Sequence, residues 1–214
     1  MSTPATLRVA LLAFDEVEAL DLAGPYEVFT TATRMAARLA LEAPAPFEVF
    51  CVARSPQAVR ARAGLRVLPE AGFTMAPVAD VLIVPGGVVD GARQCPRTLE
   101  WIARTAAQAR ITAAVCTGAF LLAEAGVLTE GEATTHWEDA ADLRAQFPAL
   151  QVREGLRWVE QPGGRLFTSA GISAGMDLSL HLVERLAGRT LALRTAQQMD
   201  YAWNENPTTA PPAA

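Results

Sequence analysis

Short apolar runs constrain the fold of this chain more than any other feature of its sequence. Leu7 to Phe14, Val81 to Val84 and Ile111 to Val115 are almost wholly apolar. Runs of this length are typical of strands that are buried on both faces of a sheet. Stretches with the helical spacing of apolar residues, such as residues 97–109, lie between them. The alternation predicts an α/β fold, with a mainly parallel sheet that helices cover on both faces.

The same patterns predict the remaining elements. Further strands are predicted at residues 47–53, 132–135, 156–160 and 165–168, with an edge strand or hairpin arm at 65–68. Helices are predicted at residues 25–41, 97–109, 119–125, 138–146, 173–187 and 190–203. Pro25 is expected to open the first helix and Gly126 to follow the third. Without an internal repeat or linker, we expect one domain over residues 1–204 and a flexible tail over 205–214.

Composition and charge restrict the partners that this chain is expected to have. The net charge is −5, and no basic cluster stands out, so nucleic acid is not an expected partner. No run reaches the length of a membrane span, and no leader pattern opens the chain. We therefore expect a cytoplasmic protein without a membrane contact.

A metal site or a disulfide framework is not expected either. The three cysteines form no C-x-x-C pair, and the two histidines, His136 and His181, are far apart in the sequence. His181 lies within a predicted helix and is expected to be structural. We expect no metal and no cofactor. Each cysteine is then either a core residue or a reactive thiol.

Several chemically useful residues follow predicted strands. Asp21, Gly86–Gly87, Cys116 and Gly171 each lie at or just beyond the end of one. Ligand sites of parallel sheets lie outside the carboxyl ends of their strands. These four positions are therefore predicted to converge on one crevice.

Cys116 is the candidate nucleophile, because it lies between a buried strand and a helix. Ala114 and Gly118 flank it with the small residues that a sharp strand-to-helix turn requires. The following helix end is expected to stabilise the thiolate and to lower the pKa of the thiol. The alternative is a buried core thiol. Cys51, within a strand, is predicted to be core, and Cys95 to lie in a loop without an activating setting.

Two residues are candidates for the proton carrier that a cysteine nucleophile needs. Asp21 lies among apolar neighbours, where the pKa of a carboxyl rises and the group can both give and take protons. Alternatively, Asp21 only caps the helix that follows. His136 either approaches the site or packs beneath Trp137, the one tryptophan expected to line a pocket.

Four segments resemble a known family. They are LDLAGPYEVF, DVLIVPGGVVDGA, AVCTGAFLLAEAGVLTEGEATTHW and SAGISAGMDLSLHLVE, and they extend over roughly residues 7–187. The chain resembles the PfpI/ThiJ family of the class I glutamine amidotransferase-like superfamily, above all its isonitrile-hydrating branch. The resemblance implies a flavodoxin-like sandwich and a homodimer.

The resemblance also implies roles for individual residues. Cys116 matches the nucleophile and Asp21 the acidic residue that contacts it. Thr117 stands where proteases of the family carry histidine, which weakens a peptidase reading. Gly86–Gly87 match the loop near the oxyanion-binding amides, and Gly171, Ile172 and Ser173 match the loop that packs against the nucleophile region.

The implied reaction is the hydration of a small isonitrile to an N-substituted formamide, with Cys116 as nucleophile and Asp21 as acid and base. One alternative is a redox-sensing, chaperone-like or regulatory protein without turnover, because activated cysteines also oxidise. Another is a hydrolase of a different small amide-like substrate. Transcription regulators share the Cys116 segment and add a helix-turn-helix region. Since none is present here, DNA binding is not expected.

Overall fold

The structure, a computed structural model, describes residues 5–39 and 44–206. Within these residues the strands are β1 (Leu7–Leu12), β2 (Phe47–Ala53), β3 (Val59–Arg60), β4 (Arg66–Val67), β5 (Ala71–Gly72), β6 (Val81–Val84), β7 (Ile111–Val115), β8 (Gly131–Ala133), β9 (Leu150–Val152), β10 (Trp158–Glu160) and β11 (Leu166–Ser169).

Helices connect most of these strands. They are α1 (Ala19–Leu39), α2 (Asp90–Arg93), α3 (Pro96–Gln108), α4 (Gly118–Glu124), α5 (Ala140–Gln146), α6 (Ala174–Ala187) and α7 (Arg189–Gln198), and 3₁₀ turns cover Arg62–Gly64 and Trp137–Asp139. In the described part of the chain, none of the helices is both long and apolar enough to cross a membrane.

Seven strands form the central sheet, in the order β10–β11–β7–β6–β1–β2–β5. Every neighbouring pair is parallel except β10 and β11. The pairs β3–β4 and β8–β9 form two small separate sheets. The predicted mainly parallel α/β fold is therefore confirmed, and the predicted hairpin arm at residues 65–68 is strand β4.

The central strands are held by the burial of their apolar side chains on both faces. All residues of β6 and β7 are buried, and Leu82 and Ile83 are 0% and 1% exposed. Burial of one such side chain contributes about 1.5–3 kcal/mol. Helices α1, α6 and α7 pack together in one layer, and α2, α3 and α4 in another.

The register of β6, β7 and β11 brings their carboxyl ends to one edge. Val84 lies beside Ala114, and Val115 beside Ser169. The loops that follow these three strands are therefore neighbours, as the sequence predicted.

Helix α1 begins earlier than predicted. It starts at Ala19 rather than at Pro25, which lies inside the helix. The prediction placed Pro25 at the first helical position, where its missing N–H is harmless. Burial of Leu22 extends the helix backwards, and the Leu22 N–H donates to the Glu18 carbonyl at 3.3 Å. The predicted end of this helix at residue 41 lies outside the described residues.

The last helix is shorter than predicted, since α7 ends at Gln198 rather than near Trp203. The following residues turn back onto the sheet, and the Asn206 side chain pairs with the β10 backbone. Its Oδ1 accepts the N–H groups of Arg157 and Trp158 at 2.9 and 3.3 Å, and its Nδ2 donates to the Trp158 carbonyl at 2.6 Å. Asn206 thus belongs to the folded body, and residues 207–214 of the predicted tail lie outside the described residues.

Asn206→Ala removes all three of these hydrogen bonds. Because the β10 backbone groups then lose their partner, we expect the free energy of unfolding to fall by about 1–3 kcal/mol. Urea unfolding measures the change. Asn204→Ala is the matched control, because Asn204 bonds to Asp177 through its backbone N–H. An equal loss of unfolding free energy in both variants would contradict the stabilising role of the Asn206 side chain.

Candidate active site

Cys116 lies on a left-handed turn between β7 and α4. Its φ is 57°, a conformation that costs a non-glycine residue about 1–3 kcal/mol. Two hydrogen bonds hold it: the Cys116 N–H donates to the Ser169 carbonyl at 3.1 Å, and the Thr135 hydroxyl donates to the Cys116 carbonyl at 2.8 Å. The structure therefore has the sharp strand-to-helix turn that the sequence predicted.

Glycines make this turn possible, because neighbouring backbones leave no room for side chains. A Cβ on Gly118 would lie 2.1 Å from the Val84 carbonyl oxygen. A Cβ on Gly86 would lie 2.6 Å from the Thr117 nitrogen. The loops after β6 and β7 are thus packed backbone to backbone around Cys116.

Asp21 lies in the first turn of α1 and is wholly buried. Its Oδ2 accepts the Gly86 N–H at 3.1 Å, and the carboxyl also interacts with the Cys116 thiol. Its Oδ1 makes no hydrogen bond of ordinary geometry with residues 5–39 or 44–206. The capping alternative does not describe this residue, because its carboxylate is directed to the neighbouring loop.

Burial raises the pKa of Asp21 from 3.8 to about 7. The Gly86 hydrogen bond and Arg62 oppose this rise, whereas the charge of Glu18 adds to it. A carboxyl with this pKa exchanges a proton readily near neutral pH, which is the property that acid–base catalysis requires.

The pKa of the Cys116 thiol is raised, not lowered. Burial is the largest cause, the charges of Asp21 and Asp139 add to it, and the pKa reaches about 12. The Thr117 N–H at the start of α4 lowers it, but this effect is the smaller one. The predicted lowering is therefore wrong, because burial and two nearby carboxyls outweigh one short helix. Cys116 rests as a thiol and needs a base to react.

Thr117 fixes the glycine loop that follows β6. Its hydroxyl accepts the Gly87 N–H and donates to the Gly87 carbonyl, both at 2.9 Å. The Gly86 N–H is bound to Asp21, so the N–H groups of both glycines are already engaged. That oxyanion-binding amides lie near this loop stays a prediction. The donor directed at the sulfur is the Thr117 N–H.

His136 approaches the site. Its Nδ1 lies 3.3 Å from Asp139 Oδ2, and its ring packs so closely on Gly171 that a Cβ there would lie 2.2 Å from Cδ2. The same Cβ would lie 3.1 Å from the Cys116 sulfur. Trp137, expected to line a pocket, is instead 74% exposed and lies outside the cavity wall.

A cavity of about 390 Å³ opens at this edge of the sheet, a size that suits a small molecule. The predicted residues in its wall are Gly87, Cys116, Thr117, His136 and Ile172. The other three lie outside the wall but next to Cys116: Asp21, Gly86 and Gly171. The structure thus brings all eight predicted residues together, in two layers.

Sequence reasoning missed several residues of this site. Glu18 lines the cavity and lies 3.3 Å from Arg62, measured between Oε2 and Nη1. Its position one turn before Asp21 was the available signal. Nothing in the sequence marked Thr135, whose hydroxyl holds the Cys116 carbonyl, or Asp139.

The other two cysteines differ from each other. Cys51 is buried in β2, and burial raises the pKa of its thiol to about 12, as a core role predicts. Cys95 precedes α3, where a hydrogen bond with Thr98 and the neighbouring Arg54 lower the pKa of its thiol. The expectation that Cys95 has no activating setting is therefore wrong.

Asp21→Asn is expected to make the protein more stable at neutral pH. With the pKa at about 7 in the folded chain and 3.8 as its ordinary value, the unfolded chain ionises Asp21 first as pH rises. As the pH rises from about 4 to about 7, the free energy of unfolding of the wild type therefore falls relative to that of the variant, by at most about 4 kcal/mol. Above about pH 7 the difference stays constant.

Urea unfolding at about pH 4.5 and about pH 8 measures this difference. Glu130→Gln, which changes an exposed carboxyl outside the cavity, is the control and should give the same difference at both pH values. A variant no more stable than wild type at about pH 8 contradicts the buried, high-pKa carboxyl.

The sequence of this chain is similar to those of an enzyme and of a transcription regulator. The chain is 36% identical over 213 residues to isonitrile hydratase from Pseudomonas putida, covering 97% of this chain and 86% of that protein. It is 35% identical over 138 residues to the HTH-type transcriptional regulator GbdR of Pseudomonas aeruginosa, covering 64% of this chain and 37% of the regulator.

Solved structures show the same fold. A ThiJ/PfpI family protein from Pseudomonas syringae superimposes with a TM-score of 0.79 and 29% identity, over 98% of this chain and 78% of that one. Drosophila melanogaster DJ-1beta superimposes with a TM-score of 0.77 and 17% identity, over 93% and 100%. A model of the DJ-1/PfpI family matches residues 7–185, and the chain belongs to that family.

Proposed function

We propose that this protein hydrates a small isonitrile to an N-substituted formamide, with Cys116 as the nucleophile and Asp21 as the proton carrier. One observation carries the proposal: a protonated thiol and a carboxyl with a pKa of about 7 are buried in contact beside a small cavity. The identity to an isonitrile hydratase over nearly the whole chain supports this choice of substrate.

The first step joins the sulfur to the terminal carbon of the isonitrile. As the S–C bond forms, the Asp21 carboxylate takes the thiol proton and gives it to that carbon, which develops negative charge. One S–H bond breaks, and one S–C and one C–H bond form. The product is a thioformimidate on Cys116, and Asp21 is a carboxylate again.

The second step adds water to the same carbon. Asp21 takes one proton from the water as its oxygen bonds to carbon, and this proton passes to the substrate nitrogen. The hydroxyl proton then returns to sulfur as the C–S bond breaks. The formamide leaves, and both Cys116 and Asp21 regain their initial protonation states.

The state of the glycine amides favours this reaction over the hydrolysis of an amide. Attack on an amide carbonyl places negative charge on oxygen, which enzymes usually stabilise with free N–H groups. Here the N–H groups of Gly86 and Gly87 are bound to Asp21 and Thr117. Attack on an isonitrile places the charge on carbon, where a proton from Asp21 removes it.

The raised pKa of Cys116 gives no support to a role in redox sensing. Peroxides react with thiolates, and a thiol whose pKa is about 12 is almost wholly protonated near neutral pH. A regulatory role on the GbdR pattern has only partial support, since the chain spans 37% of that regulator. The homodimer implied by the family resemblance remains a prediction.

Cys116→Ala should lower the rate of isonitrile hydration by about four orders of magnitude or more, because the covalent step is lost. Formamide release from a simple alkyl isonitrile, followed by chromatography, measures it. Cys95→Ser is the matched control and should retain wild-type turnover. Turnover by the Cys116→Ala protein near the wild-type rate would contradict the proposal.

The pH dependence of kcat/KM should report Asp21. Because the carboxylate form takes the thiol proton, kcat/KM should rise with pH through about 7 and fall roughly tenfold per pH unit below it. The residual activity of Asp21→Asn should lack this rise. A wild-type profile that is flat between about pH 5 and about pH 8 contradicts Asp21 as the base.

A further inference from the structure

The cavity beside Cys116 carries an excess of negative charge. Five carboxylates lie in its wall: Glu18, Asp90, Glu138, Asp139 and Asp142. The positively charged side chains of the wall are those of Arg62 and Arg93, and His136 becomes positive only when it is protonated.

The two arginines do not balance the five carboxylates. Arg62 pairs with Glu18 at 3.3 Å. Arg93 is already bound to Glu124, which lies outside the wall, at 3.0 Å and to Gln146, which lies in the wall, at 2.8 Å. The positive charge of Arg93 is therefore largely balanced by Glu124.

The remaining carboxylates have few cationic neighbours. Within residues 5–39 and 44–206, neither Asp90 nor Asp142 has an ion pair closer than 4.0 Å. Glu138 and Asp139 lie 3.8 and 3.3 Å from His136 Nδ1. These four side chains, here called the acidic rim, come from α2 and from the segment that leads into and through the start of α5.

The negative potential reaches the nucleophile. Asp139 is one of the charges that raise the pKa of the Cys116 thiol. Behind the thiol, the wholly buried Asp21 adds a further carboxyl, and its Oδ1 has no partner among the described residues. A molecule that enters the cavity therefore lies close to the carboxyl groups of the rim, and Asp21 lies buried beside the sulfur.

We infer that the site selects isonitriles whose other end carries a positive charge, such as a quaternary ammonium or a protonated amine. This inference rests on the proposed function and names its substrate class. A cleft lined by one sign of charge concentrates the field and attracts ligands of the opposite sign. Because the rim residues are partly exposed, the preference should be about tenfold and should weaken with salt.

A matched pair of substrates tests the preference. The 2-(trimethylammonio)ethyl and 3,3-dimethylbutyl isonitriles have the same shape and differ by one charge. At low ionic strength kcat/KM should be about tenfold higher for the cation, and the ratio should approach one in about 0.5 M salt. Equal values at low salt, or a faster neutral substrate, would overturn the inference.

Variants of the acidic rim assign the effect to these residues. The double variant Glu138→Gln with Asp142→Asn should lower the ratio of cation to neutral kcat/KM at least threefold. Glu130→Gln is the control, an exposed carboxyl outside the cavity, and should keep the wild-type ratio. An unchanged ratio in the double variant overturns the assignment to the rim.

A labelling experiment separates this inference from the proposed function. In a Cys95→Ser background, cationic and anionic methanethiosulfonates are compared for their rates of reaction with Cys116, each divided by its rate with free 2-mercaptoethanol. The cationic reagent should be favoured about tenfold. That result without turnover of any isonitrile would refute the proposed function and leave the charge selectivity standing. Equal labelling rates would overturn the selectivity, whichever isonitriles are hydrated.

Discussion

The left-handed backbone at Cys116 is the constraint on which the site depends. A cysteine does not adopt this conformation without support, and the support comes from outside the turn. Ser169 and Thr135 bind the peptide groups on its two sides, and Gly118 allows α4 to begin against the end of β6. The strain is therefore held by the central strands, which the core makes rigid, and the sulfur has a fixed position.

Burial then determines the chemistry of that sulfur. Because Cys116 and Asp21 are removed from water together, their pKa values both rise, to about 12 and about 7. The pair therefore prefers to keep its protons, unlike a thiolate that a histidine activates. A nucleophile that carries its own proton suits a substrate whose attacked atom must be protonated. The N–H groups of the glycine loop agree with this preference, because they are bound to Asp21 and Thr117 and are not free to stabilise negative charge on a substrate oxygen.

Much of the fold and of the position of the site could be predicted from the sequence, because apolar strand runs and the small residues at their ends are local patterns. The meeting of Asp21, Gly86 and Cys116 followed from the shared edge of parallel strands. The direction in which the pKa of Cys116 shifts could not be predicted from the sequence, because it depends on burial and on Asp139, which the fold brings close. The elements β5, α2 and β9 were missed because two to four residues are too few to show a period.

The hydrogen bonds of Asn206 have a consequence for the sheet as a whole. An edge strand with free N–H and carbonyl groups is a template for pairing with another chain. At one edge, Asn206 occupies the outward N–H and carbonyl of Trp158 in β10. At the other edge, β5 offers two residues, Ala71 and Gly72. The fold thus ends its sheet on both sides without leaving a long strand that could recruit a neighbouring molecule into a growing aggregate.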